Sequence, residues 1–365
     1  MKSVIHSINN KLIGVAEGYS QMNNMAEIGK RAERFGAKKT LETFTGLALS
    51  GRVVRISPIP MKPKIAAFPK CYLEQIAGDR SMSVFDWIEM AGGLDADGLE
   101  MYEGFFTSLD DAYIDSVGEA IRSAGFAMPM LCCSPDFTQP DPADRQRAVE
   151  HEAEMIRITR RLGGPRSVCR VLSGQRRPEV RTNEGIEWVV DCIRQLLPVA
   201  REYDVVLGME NHYKDGFWKY PEFAQKKEVF LKILEAIPDR NNFGVQYDPS
   251  NAIVAGDDPI DWLRAVQDRV VSMHASDRSL SHGATIEDLR QSDGTLGYSA
   301  KLKHGVVGKG LNDYPSIFGL LARNQYSGWI SIEDGMNGME EMAESLAFLR
   351  RMVDRHFAAP VSPPE

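Results

Sequence analysis

From residue 64 onward, short runs of β-branched and aliphatic side chains alternate with longer stretches in which apolar positions recur at helical spacing. Runs apolar on both faces are what a parallel strand buried between two layers requires, and a stretch with one apolar stripe is what a crossover helix presents to that sheet. The pattern predicts strands over 64–68, 96–101, 127–132, 167–172, 205–210, 243–248, 270–275 and 329–333. Helices are predicted over 83–92, 110–124, 143–162, 184–202, 227–237, 259–267, 314–322 and 339–356. Eight of each, in strict alternation, is the count of a closed (β/α)8 barrel.

Local chemistry agrees with these boundaries. Asp257 and Asp258 stand before Pro259 as caps before a first-turn proline, and Gly125 or Gly163 follows a helical run as a C-cap would. Residues 1–60 do not join the rhythm and are read as an N-terminal extension, with Ile56, Pro58 and Pro60 in an extended linker. The barrel is expected over 61–358, followed by a short tail, 359–365. One connection, from 276 to 314 after the seventh strand, is long and rich in Gly, Ser, Asp and His, the composition of a lid or binding loop over the mouth of the barrel.

In a parallel barrel the carboxyl ends of all strands open on one face, so polar residues that close apolar strands meet whatever their separation in sequence. Four such residues stand out: Glu210 after Val205–Met209, Asp248 after Phe243–Tyr247, His274 after Val270–Met273, and Glu333 after Trp329–Ile332. Three carboxylates in one mouth repel each other, and a divalent cation keeps them ionised together. Oxygen-rich ligation with one imidazole suits Mn2+ best, with Mg2+ or Co2+ as alternatives, rather than a thiolate-hungry structural zinc. The competing reading is four acids and bases satisfied separately by helix N-termini and salt bridges.

Composition narrows the partners. A formal charge of −8 leaves no broad basic face for phosphate backbones, which argues against nucleic acid. There is no apolar run long enough to span a bilayer, and residues 1–24 carry neither a signal-peptide core nor a cleavage pattern, so a cytoplasmic chain with a small-molecule partner is expected. The five cysteines lack CxxC spacing and read as reduced thiols, with Cys132 and Cys133 given no catalytic role. Glu100 and Glu103, which flank the second strand's end, are weighed as lining of the mouth and read instead as acids at a turn facing solvent, and Arg176 and Arg177 are weighed as partners of an anionic group and read as a solvated pair.

The segments Gly208-Met209-Glu210-Asn211-His212, Gln246-Tyr247-Asp248-Pro249-Ser250-Asn251, Met273-His274-Ala275-Ser276-Asp277 and Gly328-Trp329-Ile330-Ser331-Ile332-Glu333 resemble the metal-site strands of the xylose isomerase-like sugar isomerase/epimerase family. The segment from Gly305 through Gly308 and Gly310 to Asn312 resembles the glycine-rich turn before that family's last helix. The likeness covers roughly residues 64–356, with its specific part in 205–335. It implies a divalent metal on Glu210, Asp248, His274 and Glu333, with the two glutamates also moving protons at substrate carbon.

The chain departs from that pattern at Asn251, where the family's epimerases commonly place a substrate-touching histidine. It offers instead His212, which strand alternation would set on the same side as Glu210 if the strand continues that far. A catalytic role is expected for His212 alongside Glu210 and Glu333, and substrate contacts for Lys214, Trp218, Asn251 and His304; His282 is read as surface. The leading expectation is isomerisation or epimerisation of a sugar or keto-sugar through a metal-stabilised enediolate. The alternative is a lyase acting on 3-oxo-glycosides, of the C-glycoside deglycosidase type, which works as the larger partner of a small β-rich subunit; a homo-oligomer is the other assembly considered. Barrel endonucleases would need more histidine ligands and a basic face, whereas this chain has seven histidines in all and a charge of −8; a non-enzymatic sugar-binding barrel would need no metal.

Overall fold

The computed structural model describes residues 62–290, 301–333 and 336–358. The expected extension 1–60 and the tail 359–365 lie outside the described residues.

Strands β1 (Lys64–Ala67), β2 (Gly98–Leu99), β3 (Met101–Tyr102), β4 (Met130–Cys132), β5 (Val168–Val171), β6 (Val206–Glu210), β7 (Phe243–Tyr247), β8 (Val270–Ala275) and β11 (Trp329–Ile332) form one parallel sheet, in the order β2-β1-β11-β8-β7-β6-β5-β4-β3. Its two ends belong to the same stretch of chain: β2 pairs with β1, and β3 pairs with β4. The second strand is therefore one strand broken at Glu100, and the sheet closes into the eight-position barrel the sequence predicts. The third strand is shorter than predicted, because Pro129 has no N–H for the ladder and Ala127 makes only an isolated bridge to Gly98.

The helices are α1 (Val84–Ala91), α2 (Asp111–Ser123), α3 (Pro142–Gly163), α4 (Thr182–Glu202), α5 (Lys227–Ala236), α6 (Pro249–Val254), α7 (Pro259–Val266), α8 (Ile286–Arg290), α9 (Tyr314–Arg323) and α10 (Met339–His356). Their starts follow from capping: Ser83 and Asp86 form a reciprocal box on α1, while Asp141 caps α3, Asp258 caps α7 and Asp313 caps α9, each with proline in the first turn. Gly125 follows α2 at φ +87°, as expected of a C-terminal glycine; after α3 the left-handed residue is Gly164, one position later than expected.

Successive strand residues face opposite ways. Ile65, Ala67, Leu131, Leu207, Val245, Met273 and Ile330 join the buried layer shared with the helices. The alternate positions point into the barrel, where Gly98 leaves room for Trp329, Gly208 for Val168 and Gly244 for Val271. Toward the carboxyl ends these same inward rows finish in Glu100, Arg170, Glu210, Asp248, His274 and Glu333.

The long connection after the seventh strand contains structure the sequence reading did not assign. β9 (Asp277–Leu280) and β10 (Leu302–Gly305) pair antiparallel, and α8 lies between them. Residues 291–300 of this connection lie outside the described residues. The Asp277 carboxylate accepts from the backbone N–H groups of Arg278, Gly308, Gly310 and Asn312, which folds the glycine-rich turn around it.

Candidate metal centre and catalytic pocket

Glu210, Asp248, His274 and Glu333 come together. One potential ligand atom from each lies within 4.8 Å of the other three, and all four residues are buried. Asp248 is doubly committed: it caps α6 by accepting from the N–H groups of Ser250 (2.7 Å) and Asn251 (3.0 Å), and it accepts from the Ser276 hydroxyl. That capping orients its carboxylate at the strand end. His274 Nδ1 lies 3.1 Å from Glu210 Oε1 and 3.8 Å from Glu333 Oε2, so this nitrogen faces the carboxylates.

Two cations hold this set from the sides. Arg170 Nη1 donates to Glu210 Oε2 at 2.8 Å, and its Nε donates to the Cys133 carbonyl. Lys70 Nζ donates to Glu333 Oε1 at 2.9 Å. Burial opposes the charge on Glu210, but His274, His212 and Arg170 outweigh it and hold its pKa down to about 2. Glu333 is likewise held below the usual carboxylate range, where burial is overcome by Lys70 and His274. Burial works against a charged His274, yet Glu100, Glu210 and Glu333 raise its pKa well above the ordinary value. Asp248 is left over: burial, then Glu333 and Glu210, push it up to about 6. The mouth thus holds more negative charge than its own cations settle, a donor set that a divalent ion fits.

A cavity of about 290 Å³ opens onto this centre at Glu333. Its walls include Lys70, Tyr102, Cys132, Arg170, His212, Lys214 and Phe217. His212 is buried, stacks on Tyr213 with ring centroids 5.0 Å apart, and sets Nδ1 at 3.8 Å from Glu222 Oε2. Glu222 is itself fixed by the Ser173 N–H at 2.7 Å and by the Ser173 hydroxyl.

Not every expected substrate residue reaches the cavity. Lys214 lines it. Asn251 is buried and donates from Nδ2 to Glu210 Oε1 at 3.2 Å, so it contacts a carboxylate of the centre. Trp218 is half-buried outside the lining, and the aromatic ring at the rim is its neighbour Phe217, 80% exposed. His304 stands on β10 beside Arg278, 3.0 Å from Nη1, also outside the lining; burial, then Arg278 and Lys70, lower its pKa to about 3. His282 is exposed, as expected of surface.

Two bland readings are corrected. Glu100 is fully buried, with Oε1 at 2.6 Å from His274 Nε2 and at 2.8 Å from the Cys132 thiol, because its strand ends at the same mouth as the others. Applying the strand-end rule to the first half of the chain would have found it. Arg177 is not solvated: it pairs with both oxygens of Asp136, at 3.2 and 2.8 Å. Lys70, Arg170 and Glu222 were missed as well. Arg170 was legible as an inward position of its strand, whereas nothing in the local sequence marks Glu222.

Fold and site together define a parallel (β/α)8 barrel with a carboxylate- and histidine-lined centre at the carboxyl ends of its strands. The family model described as "Xylose isomerase-like TIM barrel" matches residues 85–352, and the chain belongs to that family. An inosose dehydratase of Geobacillus kaustophilus (strain HTA426) is 27% identical over 167 residues, 44% of this chain and 50% of that protein. The chain spans about half the length of the curated relatives it matches. A D-tagatose 3-epimerase-like protein has the same fold at TM-score 0.62 and 16% identity, covering 80% of this chain and 97% of that one. The IOLI protein with a bound zinc atom does so at 0.62 and 16%, covering 81% and 100%.

Proposed function

We propose that this protein is a metal-dependent enzyme that removes a proton beside the carbonyl of a sugar-like ketone and then expels a β-substituent. The observation that carries this reading is the gathering of Glu210, Asp248, His274 and Glu333 within 4.8 Å, with Glu333 of that set reaching the wall of a cavity that His212 also lines. A divalent ion held by those four residues would supply Lewis-acid polarisation of the substrate carbonyl. His212, with Nδ1 turned to Glu222, has Nε2 left to take the α-proton and to return it to the departing oxygen. Lys214 and Phe217 would hold the remainder of the substrate at the rim. The balance is simple: the α-C–H and β-C–O bonds break, a C=C bond forms, and the proton leaves with the hydroxide or alkoxide.

Elimination covers both loss of water from a keto-cyclitol, the chemistry named for the inosose dehydratase relatives, and release of an aglycone from a 3-oxo-glycoside. Isomerisation or epimerisation is the second reading, favoured by the presence of two carboxylates, Glu210 and Glu333, at one centre. Against it, each is clamped by a cation, Glu210 by Arg170 and Glu333 by Lys70, and a carboxylate held in an ion pair is a weaker base. Mn2+-loaded protein incubated in D2O with an inosose, a 3-oxo-glycoside and a ketohexose, followed by NMR, separates the outcomes. Loss of water or aglycone supports elimination, and an epimer without either supports the second reading. The absence of an eliminated product, of an epimer and of deuterium in the recovered substrates ends the carbon-acid mechanism.

A further inference from the structure

We propose that Glu100 is a positioning residue of this centre, holding the Nε2–H of His274 so that Nδ1 is the nitrogen offered to a metal ion. The inference rests on the metal-dependent reading above and adds a residue that reading does not use.

The geometry is one-sided. Glu100 Oε1 lies 2.6 Å from His274 Nε2, on the far side of the ring from Glu210 and Glu333. The same oxygen accepts from the Cys132 thiol at 2.8 Å. No arginine or lysine among the described residues pairs with Glu100, and its Oε2 has no hydrogen-bond partner. A carboxylate fully out of water with only an imidazole and a thiol beside it is a poor stabilising device. As an acceptor fixing one tautomer it has a clear use: an imidazole that donates its far N–H to a carboxylate is held in orientation and made a stronger ligand. Its placement follows from the fold, since the break between β2 and β3 falls at Glu100 while its N–H still bonds the Ala67 carbonyl at 3.0 Å.

The test is metal affinity rather than turnover. Full-length protein stripped with a chelator is titrated with Mn2+ and Zn2+ by calorimetry, for wild type, Glu100→Gln and Glu100→Ala. Loss of such an outer partner typically costs about 10- to 100-fold in affinity, and we expect Glu100→Ala near the upper end. Glu100→Gln keeps an acceptor oxygen and loses the charge: about tenfold weaker binding assigns the effect to charge, and unchanged binding beside a weakened Glu100→Ala assigns it to the hydrogen bond. Should Glu100→Ala not fold, Glu100→Asp, one methylene short of Nε2, takes its place. In the diamagnetic Zn2+ form, long-range ¹⁵N imidazole spectra are expected to show the proton on Nε2 of His274 in wild type. A residue with only a structural role lowers Tm and leaves the folded state's affinity alone. Folded variants that bind as tightly as wild type with the same tautomer overturn the role of Glu100 while the metal centre stands. A wild-type protein that binds no divalent ion removes the centre itself.

Discussion

At the scale of single residues, the site is a set of side chains whose ordinary preferences have been overruled by neighbours. His212 and Glu222 are buried, and their facing atoms, Nδ1 and Oε2, stand 3.8 Å apart with no hydrogen-bond partner. A positioned acid-base group of this kind contributes about 10² to 10⁴ in rate. His212→Gln is therefore expected to lower kcat on an eliminated substrate by that range while leaving Mn2+ affinity within a few-fold. Steady-state kinetics beside a metal titration checks it, and an unchanged kcat removes His212 from the chemistry. Gly308 makes a different point. Its backbone sits at φ +86°, and a Cβ there would come within 2.5 Å of the Phe348 ring. Gly308→Ala should destabilise the fold by about 1–3 kcal/mol, read as a lower urea midpoint at constant m-value; a midpoint equal to wild type shows that the turn can rearrange.

At the scale of elements, the ring must be sealed where its first and last parts meet. Asp97, just before β2, accepts from the Ile65 N–H in β1 at 2.8 Å and pairs with Arg350 of α10 through both oxygens, at 2.8 and 3.0 Å. Burial raises the carboxyl, but Arg350 and the Ile65 N–H prevail and set it below its usual value. A folded-state pKa below the unfolded one gives stability that is complete above the ordinary carboxylate range and disappears as pH falls through the depressed value. Asp97→Asn is expected to cost about 0.5–1 kcal/mol at pH 7, discounted for the partial exposure of the pair, with the gap to wild type closing below about pH 4. Urea unfolding at both pH values measures this. A gap that persists in acid shows that the residue acts through packing rather than charge.

At the scale of the whole molecule, the four residues of the centre come from the last four strands of the ring and their partners Lys70, Glu100 and Arg170 from its first half, so occupancy is linked to the folding of the entire domain. An ion that binds only the folded state adds about 2.7 kcal/mol at a hundredfold excess over Kd. We expect Mn2+ or Zn2+ to raise Tm by several degrees and a chelator to reverse the shift. Glu333→Ala should abolish the response while the barrel persists by circular dichroism. A wild-type melting curve indifferent to every divalent ion tested would speak against the centre. Among the described residues no helix is long and apolar enough to cross a membrane.

The alternation of runs along the chain determined the barrel, because burial on two faces and burial on one stripe leave different periodicities that survive in a single sequence. Strand-end placement also made Glu210, Asp248, His274 and Glu333 legible, since topology alone brings such ends to one face. What the tertiary structure decided is whatever depends on approach across the ring. Glu100 became a partner of His274 through a neighbourhood 174 residues away in sequence. Lys70 and Arg170 became the clamps on Glu333 and Glu210, Arg177 found Asp136, and Phe217 rather than Trp218 came to the rim. Hydrogen bonds and ion pairs form at distances of a few ångströms. Periodicity reports which side a residue faces, and only the closed ring sets who stands opposite.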